Sequence, residues 1–383
     1  MSLKEFTHNR WTRFTFWALL YIAWVIWLEN YWFLLGLGVI FDIFITRKVR
    51  WNFWKKRYKE GEKHSAANDW LDAIIFAVIV VTLINTFWFQ AFKIPSSSME
   101  RTLYTGDHLF VSKLTYGPRL PQTPLTLPFT HNVAFGKESY SKLVKCDYRR
   151  LKGRRSVQRG DVVVFGFPNG DTVLRKAPAE DYYALCRFYD KRTVISKLGP
   201  VIARPADKVD HYVKRCVAVA GDTLEVRKGL AWVNGVKEPS YPGLQLSVHL
   251  EETQRDYREI FPFSADYSWS RDEFGPVWIP KKGATVRLDA RNLPLYERII
   301  RVYEHSSVED ALAAGEYTFR QDYYFMMGDN RHNSLDSRYW GFVPEDHIVG
   351  TPAIIWLSTD AEESFPRSIR WNRFLKLVKN NNK

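Results

Sequence analysis

Ala91-Phe92-Lys93-Ile94-Pro95-Ser96-Ser97-Ser98-Met99 stands at the exit of the longest apolar run in the chain, Leu71 to Phe92. That run is long enough to cross a bilayer core, which needs roughly 20 residues. A serine cluster at such a place raises two questions. A serine hydroxyl is a weak nucleophile and reacts only with a base beside it. The side of the membrane on which it emerges sets the substrates it can meet.

Upstream of the stretch the chain reads as membrane. Phe14 to Leu28 is almost wholly apolar, Glu29-Asn30 interrupts it, and Tyr31 to Ile45 is apolar again apart from Asp42. A polar pair marks a water-facing turn. Residues 1–45 therefore read as a transmembrane hairpin, with one long tilted span as the alternative. Residues 46–70 form a basic loop in which Arg47, Lys48, Arg50, Lys55, Lys56, Arg57, Lys59 and Lys63 alternate with Trp51, Phe53, Trp54 and Tyr58. The net charge of +13 fits either nucleic acid or anionic lipid. The position of the basic cluster between two apolar runs selects anionic lipids of a bilayer, and no nucleic-acid partner is expected. Basic flanks mark the cytoplasmic side. With residues 71–92 as the next transmembrane helix, everything beyond Phe92 lies outside the cytoplasm.

The fold class expected of that remainder is mainly β. His108 to Val111, Asp161 to Phe165, Tyr212-Val213, Val217 to Val219, Leu224 to Val226 and Leu230 to Val233 are short apolar runs bounded by Gly, Asp or Asn. Asn234-Gly235 is a hairpin signal, because both residues tolerate positive φ. The expected organisation is an antiparallel β catalytic domain from residues 93–236 and 321–358. A second β lobe is inserted at 237–320, with a helical turn at Ser307–Ala314, and 359–383 is a C-terminal tail. Residues 114–160 and 166–205 read as long loops. Cys146, Cys186 and Cys216 form no Cys-x-x-Cys pair. With no P-loop and no His-Glu-x-x-His either, neither a metal nor a cofactor is expected.

A lysine replaces histidine as base only when it is neutral, which requires burial or neighbouring positive charge. Tyr212-Val213-Lys214-Arg215-Cys216-Val217 meets the first condition, since it sets Lys214 inside an apolar strand. Lys214 then shares a face with Tyr212 and Cys216. His332, in the polar stretch 328–338, is the rival base of a Ser/His/Asp arrangement.

Four segments together resemble the type I signal peptidases, or leader peptidases, of bacteria. Pro95 to Met99 is similar to the family's serine box, and Arg159 to Phe165 to its next strand box. Tyr212 to Val217 with Gly221-Asp222 is similar to its lysine box. Gly328-Asp329-Asn330-Arg331-His332-Asn333-Ser334-Leu335-Asp336-Ser337-Arg338 resembles its last box almost position by position. The resemblance implies a membrane-anchored serine endopeptidase of the bacterial inner membrane, multi-pass, with its catalytic domain outside the cytoplasm. It implies Ser98 as nucleophile, Lys214 as general base, and the Ser96 hydroxyl with the Ser98 N–H as oxyanion hole. Ser334 orients the amine, and Asp336 pairs with Arg338 to hold the loop. Phe92, Ile94, Leu103, Tyr212 and Val213 line the substrate pocket. The substrates implied are exported preproteins with Ala-x-Ala-type cleavage sites. This chain departs from the family pattern at Ser97, where a small residue such as Gly is common, so three hydroxyls stand in a row. The alternative of another class is a catalytically silent, anchored β domain that binds extended peptides in the envelope.

Overall fold

The computed structural model describes residues 9–28, 31–49, 66–128, 130–134, 137–246 and 256–378. Most of the expected basic loop, residues 50–65, lies outside the described residues. Helix α1, Arg10–Leu28, is opened by Asn9, whose Oδ1 accepts the Trp11 N–H at 3.0 Å. The second apolar leg, residues 31–46, runs antiparallel beside it. The Trp11 and Phe14 rings meet Phe41 near one end, and Trp24 meets Phe33 near the other. The legs therefore form a hairpin rather than one continuous rod.

Helix α2, Ala66–Phe87, is the one described helix long and apolar enough to cross a membrane. It stops at Phe87, short of the expected bound at Phe92. The residues that follow are strand β1, Phe89–Lys93, paired antiparallel with β2, Asp107–Ser112, from Phe89↔Ser112 to Lys93↔His108. An apolar run does not by itself separate helix from strand. Here the partner strand decides, because it takes the backbone groups that a longer helix would have satisfied.

The body continues with β3 (Val162–Gly166), α3 (Tyr182–Phe188), α4 (Lys191–Leu198), β4 (His211–Ala218), β5 (Thr223–Arg227), β6 (Leu230–Val233), β7 (Phe274–Trp278), α5 (Leu293–Arg298), α6 (Val308–Ala314), β8 (Tyr323–Met327) and β9 (Ile348–Ser358). The main sheet runs β1-β2-β9-β3-β4-β8 and is antiparallel throughout. Its interior strand β3 is buried on both faces. Val162 and Val164 enter one core with Ile94, Met99 and Leu109, while Val163 and Phe165 enter another with Cys216, Met326 and Trp340. A continuous apolar run is what a strand buried on two sides requires.

Three boundaries differ from the sequence expectation. The second lobe begins at β5 rather than at 237, since β5 and β6 pair with each other and β5 with β7. Val217, Phe325 and Met327 of the main sheet share one core with Leu224, Phe274 and Ile300 of the lobe, so the two are not separately cored. The stretch 166–205 is not loop alone. Asp181 and Asp190 cap α3 and α4 by accepting backbone N–H groups, and a Thr172–Leu174 strand pairs with Val201–Ala203. Residues 359–378 are not a loose tail. Lys376–Leu377 adds to β9, and the buried Arg373 guanidinium bonds Asp107. Charged residues in a polar stretch give no sequence sign of such docking.

Candidate active site

Past β1 the chain turns through the three serines. The Ile94 N–H is held by the Asp107 carbonyl at 2.9 Å, and the Leu103 N–H by Met99 at 2.7 Å. Met99 is fully buried and pins the turn to the core, which leaves Ser98 only 7% exposed beside it. Lys214 comes from β4, opposite Val163 of β3, and is 4% exposed. Its Nζ lies 2.6 Å from Ser98 Oγ. Burial pushes the lysine down to about 8, against the opposing pull of Asp336 and Asp329. A substantial share of the amine is therefore neutral near pH 8, and a neutral amine accepts the serine proton.

The other two hydroxyls are placed differently. Ser97 Oγ accepts the Asn333 side-chain amide at 2.9 Å. Ser96, exposed at the mouth of the site, sets its Oγ 3.4 Å from Ser98 Oγ. The 328–338 loop latches this turn. The Asn330 N–H donates to the Ser98 carbonyl at 3.1 Å, and its side-chain amide to the Ser97 carbonyl at 3.3 Å. Gly328 lets the two segments approach this closely, since a Cβ there would stand 2.2 Å from Ser334 Oγ and 2.7 Å from the Ser98 carbonyl.

Beneath the loop lie three Arg–carboxylate pairs. Arg338 grips Asp336 through two 2.8 Å bonds, both side chains fully buried, and Asp336 also accepts the Gly328 N–H at 3.0 Å. Burial would raise the Asp336 carboxyl, but the Arg338 guanidinium outweighs it and holds the group below the usual carboxylate range. Arg215 grips Asp329 at 2.7 and 2.6 Å, and Arg331 pairs with Glu238. Asn330, Asn333, Arg215 and Arg331 escaped the sequence reading. Their place inside or beside the boxes was the one available signal. Ser334, expected to orient the amine, has a buried Oγ that does not bond it. The loop carries that hydroxyl toward Gly328 instead.

The site opens into a cleft of about 540 Å³ lined by Phe92, Ile94, Tyr212 and Val213, as expected, together with Leu109, Val164, His211, Leu335 and Tyr339. Leu103 is a correction. It is fully buried in the core with Ile94 and Met99 and does not line the cleft. The hydrogen-bonded turn after Ser98 brings it round to the inner side. His332 also borders the cleft, but its Nε2 lies 2.9 Å from Asp272 Oδ1, so the group that meets the serine is an amine. All three cysteines are free thiols, of which Cys216 is buried in the sheet.

The sequence profile described as "Signal peptidase, peptidase S26" matches residues 67–357. The chain belongs to this peptidase family. Signal peptidase I of Haemophilus influenzae is 29% identical over 327 residues, covering 83% of this chain and 78% of that one. Signal peptidase I of Helicobacter pylori strain 26695 is 26% identical over 339 residues, covering 82% and 93%. A solved signal peptidase I from Enterococcus faecalis V583 shares 19% identity over 51% of this chain and 97% of that one, with a TM-score of 0.20. The resemblance drawn from the four boxes is thus borne out at the level of the family. The S26 protein is an enzyme, a hydrolase of peptide bonds, and the silent-domain alternative falls.

Proposed function

We propose that this S26 peptidase removes N-terminal signal peptides from exported preproteins with Ser98 as nucleophile and neutral Lys214 as general base. The observation that carries this reading is the buried 2.6 Å contact between Lys214 Nζ and Ser98 Oγ. In the first half-reaction the Ser98 hydroxyl gives its proton to the amine, and Oγ attacks the scissile carbonyl carbon. The ammonium then returns that proton to the leaving amine as the peptide C–N bond breaks, leaving an ester on Ser98. A water deprotonated by the same amine cleaves the ester and restores the hydroxyl. The Ser96 hydroxyl and the Ser98 N–H stabilise the charge on the carbonyl oxygen. Asp336 and Arg338 act as positioning residues, through the Gly328 segment that abuts Ser98.

Substrate lies extended between two strand edges. Strand β1 pairs on one side only, with β2, and β8 covers β4 at Arg215, Cys216 and Ala218 but not at Tyr212 to Lys214. Among the described residues both edges are open for β-addition. Apolar lining by Phe92, Ile94 and Val213 suits apolar side chains, the alanines of Ala-x-Ala sites among them. Helix α2 anchors the catalytic body in a bilayer of anionic lipids, with the basic stretch 46–63 on the cytoplasmic side. The test is the detergent-solubilised full chain incubated with an Ala-x-Ala preprotein beside Ser98→Ala and Lys214→Ala. Cleavage at the expected bond by wild type, and by neither variant, is the predicted result. Cleavage by either variant overturns the dyad. A reporter fused after residue 383 and active in the cytoplasm overturns the topology.

A further inference from the structure

Phe92 and His211 line a second cavity as well, of about 610 Å³, behind the active-site cleft. Thr82, Asn85 and Thr86, from the last turns of α2, form one side of it, and residues of the Pro-rich stretch 119–128, with Thr130 and His131, form the other. Lys113, Arg119 and Lys208 line it against one carboxylate, Asp207. The Lys113 amine donates to the Asn85 carbonyl at 2.6 Å, which uses one of its three protons on an unpaired helix-end oxygen. Arg119 donates to the Asp346 carbonyl at 2.6 Å. Asp207 is partly engaged, its Oδ2 accepting from the Thr123 N–H at 3.0 Å and hydroxyl at 2.9 Å. The His131 and His211 rings lie 4.6 Å apart, and burial lowers both, so they add no charge at neutral pH.

Arg119, Lys208 and a partly protonated Lys113 face Asp207, with Asp346 acting on Arg119 from behind, so the walled space keeps a net positive charge and spare donors. Burial, with Arg119 adding to it, pushes Lys113 down to about 7. Buried charge of one sign is costly until an anion joins it. The place narrows the choice of anion. If α2 spans the bilayer, its last turns lie at headgroup depth. The stretch opposite also presents Leu125 and Leu127 outward, each more than half exposed, which suits a surface lying on lipid.

We propose that this cavity binds the phosphate of an anionic phospholipid headgroup, with Lys113, Arg119 and Lys208 as its cationic contacts. The inference rests on the reading that α2 spans the membrane. It goes beyond that reading by giving the bilayer a defined site on the protein, next to the substrate cleft, with Phe92 and His211 lining both. An acidic substrate side chain is the rival occupant, because Gln90, Ala91 and Phe92 of the open β1 edge also line the cavity; the turns of α2 that form its other side favour the lipid.

The test uses the full chain in uncharged detergent, titrated with dihexanoyl phosphatidylglycerol and followed by native mass spectrometry. Wild type should retain one lipid per chain. Lys208→Gln, which leaves the Lys113–Asn85 contact in place, should weaken retention roughly tenfold, and Lys113→Gln/Lys208→Gln roughly a hundredfold, as expected for loss of one and two charged hydrogen-bond donors. Lys191→Gln/Lys197→Gln on exposed faces of α4 should change nothing. Equal retention by wild type and both cavity variants overturns the proposal. So does equally tight binding of inorganic phosphate, or an acidic peptide that displaces the lipid with the same sensitivity to the variants. Alkaline carbonate extraction tests the span separately. A chain released by carbonate refutes the membrane reading, whereas a chain retained with unchanged lipid binding refutes only the cavity.

Discussion

Lys214 is buried beside the cleft and Lys113 half-buried in the second cavity, both next to Phe92 and His211, and their surroundings separate them. Lys214 faces a hydroxyl at 2.6 Å, and two nearby carboxylates, Asp336 and Asp329, draw its pKa up against burial to about 8. Lys113 faces a carbonyl at 2.6 Å, and burial together with Arg119 takes it to about 7. By acidity alone Lys113 would be the better neutral amine at pH 7. The difference teaches that a depressed lysine is common to both places, whereas a nucleophile in reach exists at one. Desolvation prepares an amine to act as a base, and in the proposed mechanism contact with Ser98 gives Lys214 a reaction.

The comparison breaks most directly by deletion. Ser98→Ala and Lys214→Ala should each lower kcat/KM for a preprotein by at least about 10⁴-fold. Lys113→Met should retain cleavage of a water-soluble peptide substrate in detergent. Loss of that activity in Lys113→Met would make the two lysines equivalent. A second contrast lies in the carboxylates. Asp336→Asn leaves Arg338 buried without its partner and should cost about 3–5 kcal/mol in urea unfolding. A cost near zero would remove the ion pair from the support of the site.

The pH profile sharpens the same contrast. A base must lose its proton to act, so kcat/KM should rise about tenfold per pH unit below pH 8 and level off above it, following Lys214. Asp336 raises the lysine, so its removal should shift the acid limb to lower pH in whatever fraction of Asp336→Asn remains folded. A shift to higher pH would contradict the assigned electrostatics. The smallest effect is expected at Ser97. Its hydroxyl meets Asn333 and not the amine, so Ser97→Ala should keep activity within a few-fold and cost about 1 kcal/mol of stability. Inactivity of a folded Ser97→Ala would reopen the choice of serine.

Local chemistry made part of this legible. Runs such as Val162 to Phe165 bury two faces and must be strands in a sheet. Ser307 ahead of Glu309 and Asp310 announced α6, and Ser307 Oγ accepts the Asp310 N–H. What escaped depended on partners far along the chain. Phe89 to Lys93 is apolar enough to continue a helix and becomes a strand because Asp107 to Ser112 runs beside it. Leu103 resembles any pocket leucine until the turn after Ser98 carries it into the core. Arg373 sits in a polar stretch, and its burial against Asp107 has no local sign.

The sequence by itself determined the residue types and order of the four boxes, the apolar run that ends at the serines, and the β character of the body. These follow from side-chain chemistry and from periodicity over a few residues. The tertiary structure alone decided how close the Ser98 hydroxyl comes to the amine, that Leu103 leaves the cleft for the core, and that a second, half-buried lysine lines the cavity behind it. Those depend on distances between segments from 28 positions apart, as for Asn85 and Lys113, to 116, as for Ser98 and Lys214, which tertiary packing sets and no local pattern encodes.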